Sequence, residues 1–193
     1  MSLDDDIVNI LSRLRPYARF WEWPHKQMKE INIVRDFLLA MNVCGVKEYH
    51  SPALGPSKND PPDCIIKNTL GESIGIELCE LVSEGAIKEN IKGNNVYCDW
   101  TDVDILNKTR SILNNKDTKI YMGGPYKKIV ILIHTDEPTI NIDSCKILFS
   151  SENFGKYRNI SEAYFLLSYD PNHKCCPYIK LNINNLEEHK QSV

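Results

Sequence analysis

Between Pro24 and about Asn42, apolar residues recur at Met28, Ile31, Val34, Leu38 and Met41. That 3.6-residue period predicts a helix with proline in its first turn, closing near Asn42 and Gly45. Ahead of it, Ile7, Ile10, Leu11 and Leu14 form a shorter amphipathic stretch leading into Arg19-Phe20-Trp21-Glu22-Trp23. Residues 1–23 therefore read as a helical appendage packed by aromatic side chains. Residues 50–62 hold four prolines, which forbid a regular helix or a central strand and predict an extended, stiffened loop.

Two strands follow, Asp63 to Asn68 and Ser73 to Val82, separated by Thr69-Leu70-Gly71. A three-residue hairpin loop ends with a residue at positive φ, and Gly71 stands where that residue is needed, so Asn68 pairs with Glu72 and Asp63 falls opposite Glu77. Alternation then puts Cys64, Ile66, Ile74, Ile76 and Leu78 on a core face and Asp63, Lys67, Glu77 and Cys79 on the other. Downstream, Ser83 to Lys92 reads as a short helix ending at Gly93, and Thr101-Asp102-Val103-Asp104 as a capping box opening a helix striped by Ile105, Leu106, Thr109, Ile112 and Leu113. Lys128 to His134 is a continuous apolar, β-branched run, the pattern of a strand covered on both faces. Ser144 to Phe149 reads as helix, and Ala163 to Tyr169 and Tyr178 to Ile183 as strands. This order predicts an α/β protein, a three-layer α/β/α sandwich around a central mixed sheet.

Composition adds limits. A chain of 193 residues with 42% hydrophobic content supports one core, so a single domain over 1–193 is expected. Within it, residues 24–135 make the central unit and 136–193 complete the sheet with strands and a helix. The net charge of −3 excludes general adhesion to polyanions and requires any contact with nucleic acid to be local. No apolar run approaches the roughly 18 residues a membrane span needs, and the N-terminus is acidic, so a soluble cytoplasmic protein without membrane partners is expected. Seven cysteines without a Cys-x-x-Cys pair suggest neither a disulfide framework nor zinc.

The chemistry concentrates at Pro62-Asp63 and Glu77-Leu78-Cys79. Carboxylates opposite each other on neighbouring strands have side-chain origins about 5 Å apart, close enough to share a divalent cation. Burying both without a cation or a proton between them is costly. In order and spacing, residues 24–135 resemble the PD-(D/E)XK nuclease superfamily, the restriction-endonuclease-like fold. Pro62-Asp63 resembles its Pro-Asp, and Glu77-Leu78-Cys79 its acidic-x-Lys tripeptide. The resemblance implies a nuclease that hydrolyses phosphodiester bonds with Mg2+ or Mn2+ held by Asp63, Glu77 and the carbonyl of Leu78. It also implies an acidic ligand from the first helix, for which Glu30 is placed beside the buried stripe of Val34, Phe37 and Met41.

The superfamily's lysine is replaced here by Cys79, and a thiol supplies no fixed positive charge. Three alternatives stand open. The lysine has migrated to Lys88 or Lys92 on the following helix, the enzyme works without it, or the chain is an inactive nuclease fold that binds nucleic acid or a protein partner. Between Ile105 and Lys128 lie Lys108, Arg110, Lys116, Lys119, Lys127 and Lys128 against the single acid Asp117. This excess is a candidate nucleic-acid surface, for DNA ahead of RNA. The reading leaves room for a homodimer.

Overall fold

The computed structural model describes residues 16–56 and 61–185. The stretch Ile7 to Leu14 lies outside these residues. Helix α1 (Lys26–Val43) leads into β1 (Tyr49–Leu54), β2 (Cys64–Asn68) and β3 (Ser73–Glu80). Then come α2 (Glu84–Ile91), α3 (Asp102–Asp117), β4 (Lys128–Thr135), α4 (Ile142–Ser150), β5 (Lys156–Tyr157), β6 (Glu162–Leu167), β7 (Tyr178–Lys180) and β8 (Asn184–Asn185). The protein is an α/β protein with an open, mixed six-stranded sheet ordered β1-β2-β3-β4-β6-β7, while β5 and β8 form a separate two-stranded ladder.

The hairpin has the register its turn chemistry requires. Cys64 pairs with Ile76 and Ile66 with Ile74, and Gly71 sits at φ 78°. From β3 onward the pairing is parallel, β3 with β4 and β4 with β6, and each parallel step passes through a helical connection. Helix α3 opens with the expected capping box: the Thr101 hydroxyl accepts from the Asp104 amide, and the Asp104 carboxylate accepts from the Thr101 amide. Ser83 caps α2, whose end is followed by Gly93 at φ 87°.

One expectation changes in part. Residues 49–54 form a strand where the prolines suggested a loop, while residues 55–56 and 61–63 lie outside the strands as expected. The strand lies at the sheet edge, where Pro52 forfeits no ladder bond, and a register irregularity between His50 and Ala53, with Ser51 at φ 54°, absorbs the proline. Both faces of the hairpin's second strand are covered. Cys64, Ile66, Ile74 and Ile76 pack under Ile33, Val34 and Phe37 of α1, as the alternation requires. On the other side Cys79 and Leu81 join Ile131 and Ile133 beneath Ile105 and Leu113 of α3 and Phe149 of α4. Both clusters are nearly dry, and burying each of these large side chains contributes about 1.5–3 kcal/mol. Trp21 is buried on the α1 side, as a packing anchor should be.

Candidate functional site

The strand pair builds the site because β2 stops where β3 continues. Asp63 precedes the first β2 residue, opposite Glu77 by continuation of the hairpin register. Its Oδ2 accepts the Leu78 amide at 2.9 Å. In an extended strand the N–H and C=O of one residue point to the same side, so the Leu78 carbonyl also faces the gap beyond the end of β2. The Asp63 backbone is itself fixed, since its carbonyl accepts the Gly55 amide at 2.7 Å.

Glu77 is 6% exposed. Its Oε1 accepts a charge-assisted bond from Lys116 Nζ at 2.5 Å, and its Oε2 is buried with no hydrogen-bond partner. Burial, and next the nearby Asp63 charge, push the Glu77 carboxyl above its ordinary range in spite of the lysine. Burial alone would lower the Lys116 ammonium, yet its bond to Glu77 and the nearby Asp63 charge hold it above its usual value, so it stays charged. Cys79 is buried beside it, and burial pushes the thiol up to about 12. A thiol so placed is neutral at physiological pH and is no nucleophile.

From α1, Glu30 is 9% exposed and its carboxyl is raised, chiefly by burial. It shares a cleft with Asp63 and Glu77, but among the described residues the three do not form a group able to hold a metal ion, so the ligand role expected of the first-helix acid is not supported. Lys26 one turn earlier contacts Glu30 at 3.0 Å and Asp63 at 3.8 Å. Lys29 bridges Glu22 at 2.6 Å and Glu80 at 3.2 Å. Lys26, Lys29, Glu30, Asp63 and Glu80 line this cleft of about 430 Å³ with Glu77, Lys116, Lys119 and His134, the last buried and edge-to-face with Trp21. Among the described residues no three His, Cys, Asp or Glu side chains converge closely enough to hold a metal ion. The donors available to a cation are therefore the Asp63 and Glu77 carboxylates and the Leu78 carbonyl. These are hard oxygens that suit Mg2+, and the unpartnered Glu77 Oε2 is the atom such an ion would satisfy.

The lysine assignments need correction. Lys88 is exposed and does not line the cleft, and Lys92 pairs with Glu89 on its own helix at 2.6 Å. Helix α2 turns these side chains to solvent. The amine in the site comes from Lys116 of α3. Its signal was in the periodicity, because Ile105, Thr109, Leu113 and Lys116 fall on one helical face and the first three are buried.

The basic surface also changes, because most of its charges already have partners. Arg110 pairs with Glu152 at 2.5 Å, and Lys128 with Glu162 at 2.5 Å. Lys127 lies 3.7 Å from Glu72, while Lys108 borders a separate hollow beside Trp100. Lys119 alone of the remaining five shares the cleft with Lys116. Among the described residues no helix is long and apolar enough to cross a membrane. No family model, curated protein or solved structure matches the chain.

Proposed function

We propose that this protein is a metal-dependent nuclease of the restriction-endonuclease-like, three-layer α/β/α type, in which the strand lysine has been replaced by one from a helix. The observation that carries the reading is Lys116 Nζ held 2.5 Å from Glu77 Oε1, opposite Asp63, on the carboxylate whose other oxygen is buried and unpaired. An amine in that place does what a lysine at position 79 would do from the strand.

Asp63, Glu77 and the Leu78 carbonyl would hold a Mg2+ or Mn2+ ion, which supplies Lewis-acid polarisation of the phosphodiester and acidifies a bound water. Lys116 orients the attacking water through its Glu77 pair and offers positive charge to the phosphate oxygen on which negative charge accumulates. The water gives up a proton to solvent as its oxygen forms a bond to phosphorus, the opposite P–O bond breaks, and the departing oxygen takes up a proton from solvent. Burial of Glu77 and Lys116 keeps their geometry fixed, so little reorganisation is needed as charge develops.

A second reading is also favoured by an observation. Lys26 contacts Glu30 and Asp63, and Lys116 contacts Glu77, so ion pairs within the protein offset part of the carboxylate charge, an arrangement suited to a silent fold that only binds nucleic acid or a protein. Cleavage of single- and double-stranded DNA and of RNA, with Mg2+ or Mn2+, separates the two. The nuclease reading expects cleavage that disappears in chelator and falls at least a hundredfold in Asp63→Asn and in Glu77→Gln. Metal-dependent cleavage unchanged by both substitutions refutes the site. No cleavage of any substrate by the folded wild type selects the silent reading.

A further inference from the structure

A second concavity of about 400 Å³ meets the cleft at Lys119, which lines both. It lies between the 118–127 connection and the 158–161 turn ahead of β6. None of its lining residues is acidic, while Lys119, Lys127, Lys128 and Arg158 are basic. Lys128 is committed to Glu162, but Lys127 holds only an exposed pair at 3.7 Å, which contributes little. Among the described residues Lys119 and Arg158 have no carboxylate partner, and both are exposed. Three cations thus face a groove with no anion in its walls, in a protein whose total charge is negative.

The groove is built rather than accidental in shape. Asp117 at the end of α3 accepts the Arg158 amide at 2.9 Å and the Asn159 amide at 2.7 Å, which ties the far wall to the helix that carries Lys116. The near wall is held by Tyr121, whose hydroxyl donates to the Lys116 carbonyl at 3.0 Å, and by Met122, whose amide donates to the Pro61 carbonyl at 2.8 Å. The backbone segments that carry the cations are therefore tied to α3 and to the Pro61 end of the hairpin. Exposed Ile120 and half-buried Tyr126 add apolar surface on which a base can rest.

We infer that this groove binds the phosphodiester backbone of a nucleic-acid strand alongside the strand's scissile phosphate, with Lys119, Lys127 and Arg158 each taking a phosphate. The inference rests on the nuclease reading for what happens in the cleft, but its test does not. Binding of fluorescein-labelled single-stranded oligodeoxythymidine is followed by anisotropy in EDTA over a series of salt concentrations. Wild type is compared with Lys127→Ala/Arg158→Ala and with the charge-matched control Lys47→Ala/Lys146→Ala, whose sites lie outside the groove.

Each phosphate contact to a single strand contributes about 0.7 to the slope of log affinity against log salt. The groove variant should lose about 1.4 of slope and bind roughly 25-fold more weakly at 0.1 M salt, while the control keeps the wild-type slope. All four positions are exposed, and unchanged melting temperatures verify the fold. Equal behaviour of the two double variants overturns the inference, as does a wild type that does not bind. Groove-dependent binding by a protein that cleaves nothing upholds the groove and removes the nuclease reading. Metal-dependent cleavage with groove-independent binding does the reverse.

Discussion

Replacing Lys116 by alanine removes the amine that touches Glu77 and separates two effects of different size. The pair is mostly buried, with side-chain exposures of 24% for Lys116 and 7% for Glu77. Removing one partner of a buried pair costs about 3–5 kcal/mol because the other charge is stranded. Here the cost should sit near 3 kcal/mol at neutral pH, since Glu77 escapes by taking up a proton, a change its burial already favours. The deficit should shrink on acidification, as Glu77 becomes protonated without penalty. The catalytic effect is separate: losing one fixed donor to a developing oxyanion costs roughly 10²–10³ in rate. Urea unfolding measures the first and single-turnover cleavage at saturating Mg2+ the second. A double variant, Lys116→Ala/Cys79→Lys, returns an amine from the strand, because Cys79 lies on the Glu77 face beside the Lys116 amine. It should regain at least tenfold in rate over Lys116→Ala. Lys88→Ala and Lys92→Ala should leave rate unchanged and stability within about 0.5 kcal/mol. Wild-type cleavage by a folded Lys116→Ala protein would refute the assigned role, as would full activity loss in Lys92→Ala alone.

Two further outcomes follow from the same geometry. Burial raises Glu77 and Glu30 above their ordinary value of 4.5, so the folded protein without metal binds more protons than the unfolded chain in the window above that value. Their penalty on stability is absent below 4.5 and grows as pH rises through the folded-state values. Added Mg2+ should therefore raise the melting temperature more at pH near 7.5 than near 5, and Asp63→Asn should abolish the rise; an equal shift in the Asn variant would place the ion elsewhere. At Gly55 an added Cβ would stand 1.9 Å from the Pro62 carbonyl oxygen, whereas at Gly85 the nearest atom is 3.8 Å away. Gly55→Ala should cost about 2 kcal/mol or more and impair cleavage through Asp63, while Gly85→Ala in α2 should stabilise by about 0.5–1 kcal/mol in urea titrations.

Much of the site's scaffold was legible locally. The opposition of Asp63 and Glu77 follows from the turn at Thr69-Leu70-Gly71, because a tight turn's dihedral demands fix the pairing of its flanking strands. The capping box at Thr101, the stop at Gly93 and the buried stripe of α1 are likewise settled by residues within a turn or two of each other. Even the place of Glu30 at the margin of the site follows from helical spacing.

Which amine stands beside Glu77 was a different kind of question. Lys116 reaches Glu77 across 39 positions of chain, and only the helical crossover between parallel β3 and β4 brings it there. Tertiary packing alone also decided that the basic charges between Ile105 and Lys128 are dispersed, with Arg110 drawn to Glu152 and Lys128 to Glu162, and that the start of the proline-rich stretch ends up in an edge strand. The sequence by itself determined which residues each element offers and how neighbouring strands register, since these depend on nearby dihedral preferences and side-chain period. Which charge meets which carboxylate was left to the tertiary structure, because that depends on how distant faces are stacked when the apolar surface is removed from water.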